Sequence, residues 1–100
     1  MGRIIWAPSA LGDMEAIAEY IGRDSVDQAS LFVGRIVEMT DRLEKFPRSG
    51  RVIPEINNRH CREIIYGAYR VMYRIHKTEI WITGIVHAAR HWRPSGTDYI

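Results

Sequence analysis

Of the nine Lys and Arg residues after position 45, eight are arginine, and all four histidines (His60, His76, His87 and His91) lie in the same stretch. Planar guanidinium groups pair bidentately with phosphate and carboxylate, so this half of the chain points to a polyanion or an acidic partner. Cleaving RNA by attack of a ribose 2′-hydroxyl would need a base for its proton, an acid for the leaving oxygen and cations on the scissile phosphate. Arg62, Arg70, Arg74 and Arg90 can supply the cations, and Glu63, His87 and His91 are the candidate proton carriers. His87 and His91 also stand four apart, a spacing that suits a metal on one helical face, but no third ligand or nearby glutamate completes a zinc motif. No metal or other cofactor is therefore expected. Cys61, between His60 and Arg62, is read either as a thiol of lowered pKa or as a small buried hydrophobe.

The hydropathy pattern shows which elements must position these groups. Arg3-Ile4-Ile5-Trp6 is a short strand, and Pro8 suits the first turn of a helix. Leu11, Met14, Ile17, Ala18 and Ile21 recur at helical spacing, with Asp13, Glu15 and Glu19 outward, until Gly22. Ser25-Val26-Asp27-Gln28 has the form of a capping box. The helix it starts carries Ala29, Phe32, Ile36, Met39 and Leu43 as its stripe and is stopped by Pro47. Leu31, Val33 and Val37 fall partly outside that stripe and are candidates for contact with a partner.

Past a turn at 47–50 and a loop at 51–59 holding one short strand, the period becomes two. Tyr69, Val71, Tyr73 and Ile75 alternate with Arg70, Met72 and Arg74, so one face is apolar and the other presents guanidinium groups. Cys61 to Tyr66 and Glu79 to His87 are further strands. In the second, Ile80, Ile82 and Val86 are placed on one face and Trp81, Thr83 and Ile85 on the other. Short spacers at Gly67 and Lys77-Thr78 make the three an antiparallel meander. The expected fold is α+β: an N-terminal strand, an antiparallel helical hairpin, then a three-stranded antiparallel meander, one domain over 1–100 with 88–100 a short tail or helix.

The totals agree with an ordinary folded chain. Of its 100 residues, 46% are hydrophobic and 26% charged, away from the composition of disordered chains. The net charge of +2 conceals an asymmetry: residues 1–45 carry −3 and residues 46–100 carry +5. One cysteine permits no internal disulfide, and no apolar run reaches the length of a signal peptide or a membrane span. A cytoplasmic protein with no membrane association is expected.

Four short motifs stand in this order along the chain: Trp6-Ala7-Pro8-Ser9-Ala10, the segment LEKFPRSGR from Leu43 to Arg51, Tyr69 to Arg74 (YRVMYR), and His87-Ala88-Ala89-Arg90. With the element order, they make the chain resemble the RelE/ParE toxin superfamily of toxin–antitoxin systems, some of which stabilise plasmids. The resemblance covers nearly the whole chain. It implies a small cytoplasmic toxin held in a hetero-oligomer with its antitoxin. RelE-like members cut messenger RNA on the ribosome, whereas ParE-like members inhibit DNA gyrase. The Gly50-Arg51 turn and the His87 to Arg90 ending are closer to ParE. RNA-cutting relatives usually carry a His-Tyr or similar pair after the last strand. Here the stretch is Arg90-His91-Trp92-Arg93, and Trp92 cannot act as a general acid; Tyr99 would need the tail to fold back.

The expectation is thus a gyrase-inhibiting, non-nucleolytic toxin with a ParD-like antitoxin and no direct DNA binding by the toxin alone; the alternative is a ribosome-dependent endoribonuclease using Arg62, Arg70, His87 and Arg90. Arg62, Arg70, Arg74, Arg90, His91 and Trp92 are expected to meet the target. Leu31, Val33, Val37, Arg70 and Arg74 are expected to meet the antitoxin.

Overall fold

A computed structural model describes residues 2–89 and Trp92. The elements are β1 (Arg3–Trp6), α1 (Pro8–Gly22), α2 (Val26–Asp41), a 3-10 turn (Arg42–Glu44), β2 (Arg51–Val52), β3 (Cys61–Tyr66), β4 (Tyr69–His76) and β5 (Glu79–His87). They build one five-stranded sheet in the order β1-β5-β4-β3-β2. β1 runs parallel to β5, and every other pairing is antiparallel. From β1 the chain passes through the α1–α2 hairpin, which packs on one face of the sheet, to β2 at the opposite edge, and reaches β5 beside β1 only after β3 and β4.

Pro8 opens α1 as expected, but the buried stripe is Ala10, Met14, Ile17 and Ile21 rather than one that includes Leu11, which is exposed. Turning the helix to seat Ala10 brings Asp13 toward the sheet, so it is not an outward residue. Ser25 caps α2 by accepting the Gln28 N–H at 3.1 Å. The reciprocal half of the capping box is absent, because the Ser25 N–H already bonds the Ile21 carbonyl at 3.0 Å. α2 ends at Asp41, several residues before Pro47, and the 3-10 turn that follows still buries Leu43. Phe32, Ile36 and Leu43 join Val71, Tyr73, Ile80, Ile82 and Ile85 in the core between helices and sheet.

That list corrects the expected alternation of β5. Met72 pairs with Gly84 while Tyr73 pairs with Ile82, so Thr83 is an extra residue, a β-bulge. The bulge resets the two-residue period. Ile85 joins Ile80 and Ile82 on the helix side, and Val86 faces the other way, toward Ile53, Cys61 and Met72. Two α1 side chains hold the irregular backbone: Ser9 Oγ donates to the Thr83 carbonyl at 2.9 Å, and Asp13 Oδ2 accepts the Ile85 N–H at 2.9 Å.

The face away from the helices is not a bare guanidinium surface either. Met72 on that face is fully buried with Ile53 and Cys61, and half-buried Ile56, Val86 and Trp92 complete this second cluster. The loop between β2 and β3 therefore folds under the sheet and covers its middle. Tyr73 ties down the start of this segment, its hydroxyl donating to the Pro47 carbonyl at 2.7 Å and accepting the Gly50 N–H at 3.0 Å. A Cβ on Gly50 would lie 2.6 Å from both that hydroxyl and the Glu63 carbonyl oxygen, so the close approach requires glycine.

Candidate functional site

Because side chains alternate along β4, Arg70, Met72 and Arg74 share the face away from the helices. Met72 divides it into two ends. At one end the guanidinium of Arg70 is almost wholly enclosed and fully engaged. Its Nε donates to Glu63 Oε1 at 2.7 Å, and Nη1 and Nη2 grip the two oxygens of Glu55 at 2.7 Å each. Glu63, with no exposed side-chain surface, also accepts from Arg51 Nε. The Arg70 hydrogen bonds hold the Glu55 carboxyl down at about 2, against an ordinary 4.5, although partial burial opposes them. The same bond to Glu55 raises the Arg70 pKa further above its usual value. The Trp92 ring lies over the guanidinium with its centroid 5.6 Å from Cζ.

At the other end, Arg74 has no carboxylate partner among the described residues. It lies where two cavities meet, one of about 430 Å³ against Trp81 and Thr83 and one of about 380 Å³ against Arg48, His60 and Lys77. Cys61 borders the second cavity. Burial pushes its thiol pKa up, with Arg74 opposing in part, so the buried-hydrophobe reading holds over the reactive-thiol one.

The structure does not bring Arg62, Arg70 and Arg74 together at one point. Arg62 pairs across the ladder with Tyr73, whose ring lies in the helix-side core, so it belongs to the face opposite Arg70 and Arg74. Its Nε donates to the Arg59 carbonyl at 2.9 Å and its Nη1 to the Gly50 carbonyl at 2.8 Å, which staples the loop to β3. His87 is on the helix side as well, opposite Tyr69 in the ladder and edge-on to its ring at 5.4 Å. Its Nδ1 accepts the Ala89 N–H at 3.1 Å, so that nitrogen is engaged by the backbone. Glu63 is sealed between two arginines. Arg90, His91 and Tyr99 lie outside the described residues.

Of the proposed partner contacts, Leu31 and Val37 are exposed on α2, whereas Val33 packs against the core. On α1, Leu11, which periodicity placed in the buried stripe, and Tyr20, which it did not single out, are further exposed apolar residues. Sequence reasoning also missed Arg48, His60, His76 and Lys77 around Arg74, because the loops that assemble them have no period. Among the described residues no group of three His, Cys, Asp or Glu side chains is arranged to hold a metal, and no helix is long and apolar enough to cross a membrane.

Comparison with known proteins bears on this arrangement. A family model described as the ParE toxin of type II toxin–antitoxin system, parDE, matches residues 4–92. The protein Y4kP of Sinorhizobium fredii (strain NBRC 101917 / NGR234) is 33% identical over 92 residues, covering 90% of this chain and 92% of that one. Toxin RelE2 of Caulobacter vibrioides is 31% identical over 91 residues, covering 90% of this chain and 99% of that one. A chain from the chromosomal ParDE TA system of P. aeruginosa superposes with a TM-score of 0.70 at 23% identity, over 87% of this chain and 96% of that one. The last comparison confirms the α+β fold.

Proposed function

The chain belongs to the ParE toxin family of type II toxin–antitoxin systems, and on that premise we propose that it inhibits DNA gyrase by binding, without cutting nucleic acid, until a ParD-like antitoxin masks it. The observation that carries this reading is the dispersal of the residues a nuclease would need. Arg62 is spent on loop carbonyls on one face, Arg70 is neutralised by two glutamates on the other, and His87 is turned toward Tyr69 on the helix side. A 2′-hydroxyl attack needs base, acid and cation around one phosphate. These groups do not surround a common point.

In this reading the target meets Arg74 and Trp92 on the face away from the helices, and Arg90 and His91, which lie outside the described residues, are proposed to join the contact. The antitoxin covers Leu31 and Val37 on α2 with Leu11 and Tyr20 on α1, laying an amphipathic helix over the hairpin. The hetero-oligomer would form in the cytoplasm.

The second reading, ribosome-dependent cleavage of messenger RNA, is favoured by the relative named RelE2. Induction of the chain alone in bacteria separates the two. Filamentation with a DNA-damage response, relieved by co-expressing a ParD-like antitoxin, is expected, together with loss of supercoiling by purified gyrase. Cutting of messenger RNA on purified ribosomes, abolished by His87→Ala, would overturn the proposal.

A further inference from the structure

The two cavities that meet at Arg74 differ in chemistry and adjoin, since both are lined by Arg74 and His76. The smaller gathers Arg48 and Lys77 with His60, and no Asp or Glu among the described residues lines it. Three full positive charges, Arg48, Arg74 and Lys77, thus face one hollow, and none has a carboxylate partner among the described residues. Unneutralised like charges in a recess raise the local concentration of anions. His60 adds a buried Nδ1 that has no hydrogen-bond partner among the described residues.

The larger cavity has an aromatic wall, Trp81, flanked by the hydroxyl-bearing Ser9 and Thr83. Thr83 Oγ1 is likewise buried and unpartnered among the described residues. Glu79 at its rim is already oriented, accepting the Trp81 Nε1–H at 3.2 Å and lying 3.8 Å from Arg3. A carboxylate held in this way can still accept from the hydroxyls of a sugar. Each hollow by itself falls within the size range of small-molecule sites.

We propose that the two cavities form one site for a nucleoside polyphosphate, the phosphates lying among Arg48, Arg74 and Lys77 and the nucleoside against Trp81 and Glu79. The charge count favours this ligand. A di- or triphosphate carries about as many negative charges as there are unpaired cations, whereas a single phosphate would leave cations unmatched. The aromatic wall beside the cations favours a nucleotide over an acidic peptide, because a base has a flat face to stack on the indole. The site does not depend on the gyrase reading, and it is tested on the purified chain without a target or an antitoxin.

Calorimetric titration of the full chain with ATP tests it, using tripolyphosphate, adenosine and a short single-stranded oligonucleotide as further probes. ATP is expected to bind at concentrations below about 1 mM, about tenfold more tightly than tripolyphosphate, with adenosine weaker still. Arg74→Ala should weaken ATP binding by about tenfold or more, as loss of a charge-assisted contact does. Lys77→Asn should weaken it by a smaller factor; Lys77 sits in an exposed turn at φ 56°, a conformation asparagine tolerates, so this variant keeps the fold. Absence of ATP binding overturns the proposal, as does wild-type affinity in both variants. Tripolyphosphate binding as well as ATP would remove the nucleoside half of the site. Oligonucleotide binding without ATP binding would assign the cleft to a nucleic-acid strand and overturn it as well.

Discussion

Arg70 and Arg74 are the same residue type, on the same strand and the same face, four positions apart, yet their surroundings are opposite. Over Arg70 the β2–β3 loop returns Glu55, and the neighbouring strand supplies Glu63, so the charge is sealed by carboxylates and capped by Trp92. Around Arg74 the open hollow is lined by Arg48, His60, His76 and Lys77, and the Glu79 carboxylate that also lines it pairs with Arg3 and not with Arg74. Removing an ion from water is costly unless partners compensate, whereas a cation that keeps its access to water needs none. One end of the face therefore specifies the structure of the loop, and the other contributes an uncompensated positive field that folding does not require. A difference of this kind separates a structural arginine from a binding one more reliably than residue type does.

The most damaging way to break this contrast is to remove the carboxylate that two arginines share. Glu63→Gln removes the negative charge that Arg51 and the enclosed Arg70 share and leaves one acceptor oxygen where there were two. A stability loss of about 3–5 kcal/mol is expected by urea denaturation at neutral pH. A loss below about 1 kcal/mol would mean that the sealed end is held by apolar packing and that its charges are incidental.

A smaller effect is expected at the bulge that shapes the open end. Asp13→Ala frees the Ile85 N–H, and leaving such a group unpaired costs about 1–3 kcal/mol. Amide exchange reads the change directly: Ile85 should lose protection, while the β3 amides, one strand beyond the strand that faces the bulge, should keep theirs. If both sets exchange faster by the same factor, the sheet opens as a whole and the bulge is not a local unit.

The architecture could be read from the sequence because it rests on periods. Ile17 and Ile21 on α1, Phe32 and Ile36 on α2, and Tyr69 to Ile75 on β4 each repeat as their element requires, and all are buried or packed where the period puts them. The candidate site was less legible for three physical reasons. The bulge at Thr83 adds one residue, which moves Ile85 and Val86 to opposite faces from those expected. Arg62 alternates onto the helix side, a fact that register decides and composition does not show. Glu55 and His60 reach the open face through a loop without a repeat, so neither the neutralisation of Arg70 nor the cluster around Arg74 has a sequence signature.

The contrast also has a pH dependence. The Glu55 carboxyl is held at about 2 when folded, below its ordinary 4.5, so its contribution is complete above 4.5 and is lost as pH falls toward 2. Glu55→Gln should cost about 1 kcal/mol at neutral pH, since the carboxylate is partly exposed. Denaturation curves across the acid range should show the gap between wild type and variant closing as pH falls through that window. A gap that stays constant to pH 2 would show that the Arg70 contact is not the origin of the lowered pKa.

The smallest effect on stability is expected from Arg74→Ala. Its guanidinium has no carboxylate to lose among the described residues, and removing one of several like charges around a hollow relieves repulsion. The change should lie within about 0.5 kcal/mol of zero, as for surface substitutions that touch no specific feature. That near-neutral result is informative only if the charge is shown to have acted locally, and Cys61 provides the readout. Burial raises the thiol pKa while Arg74 lowers it, so deleting the guanidinium should move the thiol titration upward still further, measured by thiolate absorbance. An unchanged thiol titration would place Arg74 too far from Cys61 to share its cavity. A stability loss above about 1 kcal/mol would show that Arg74 is held by the fold as Arg70 is, and the distinction between the two ends would fail.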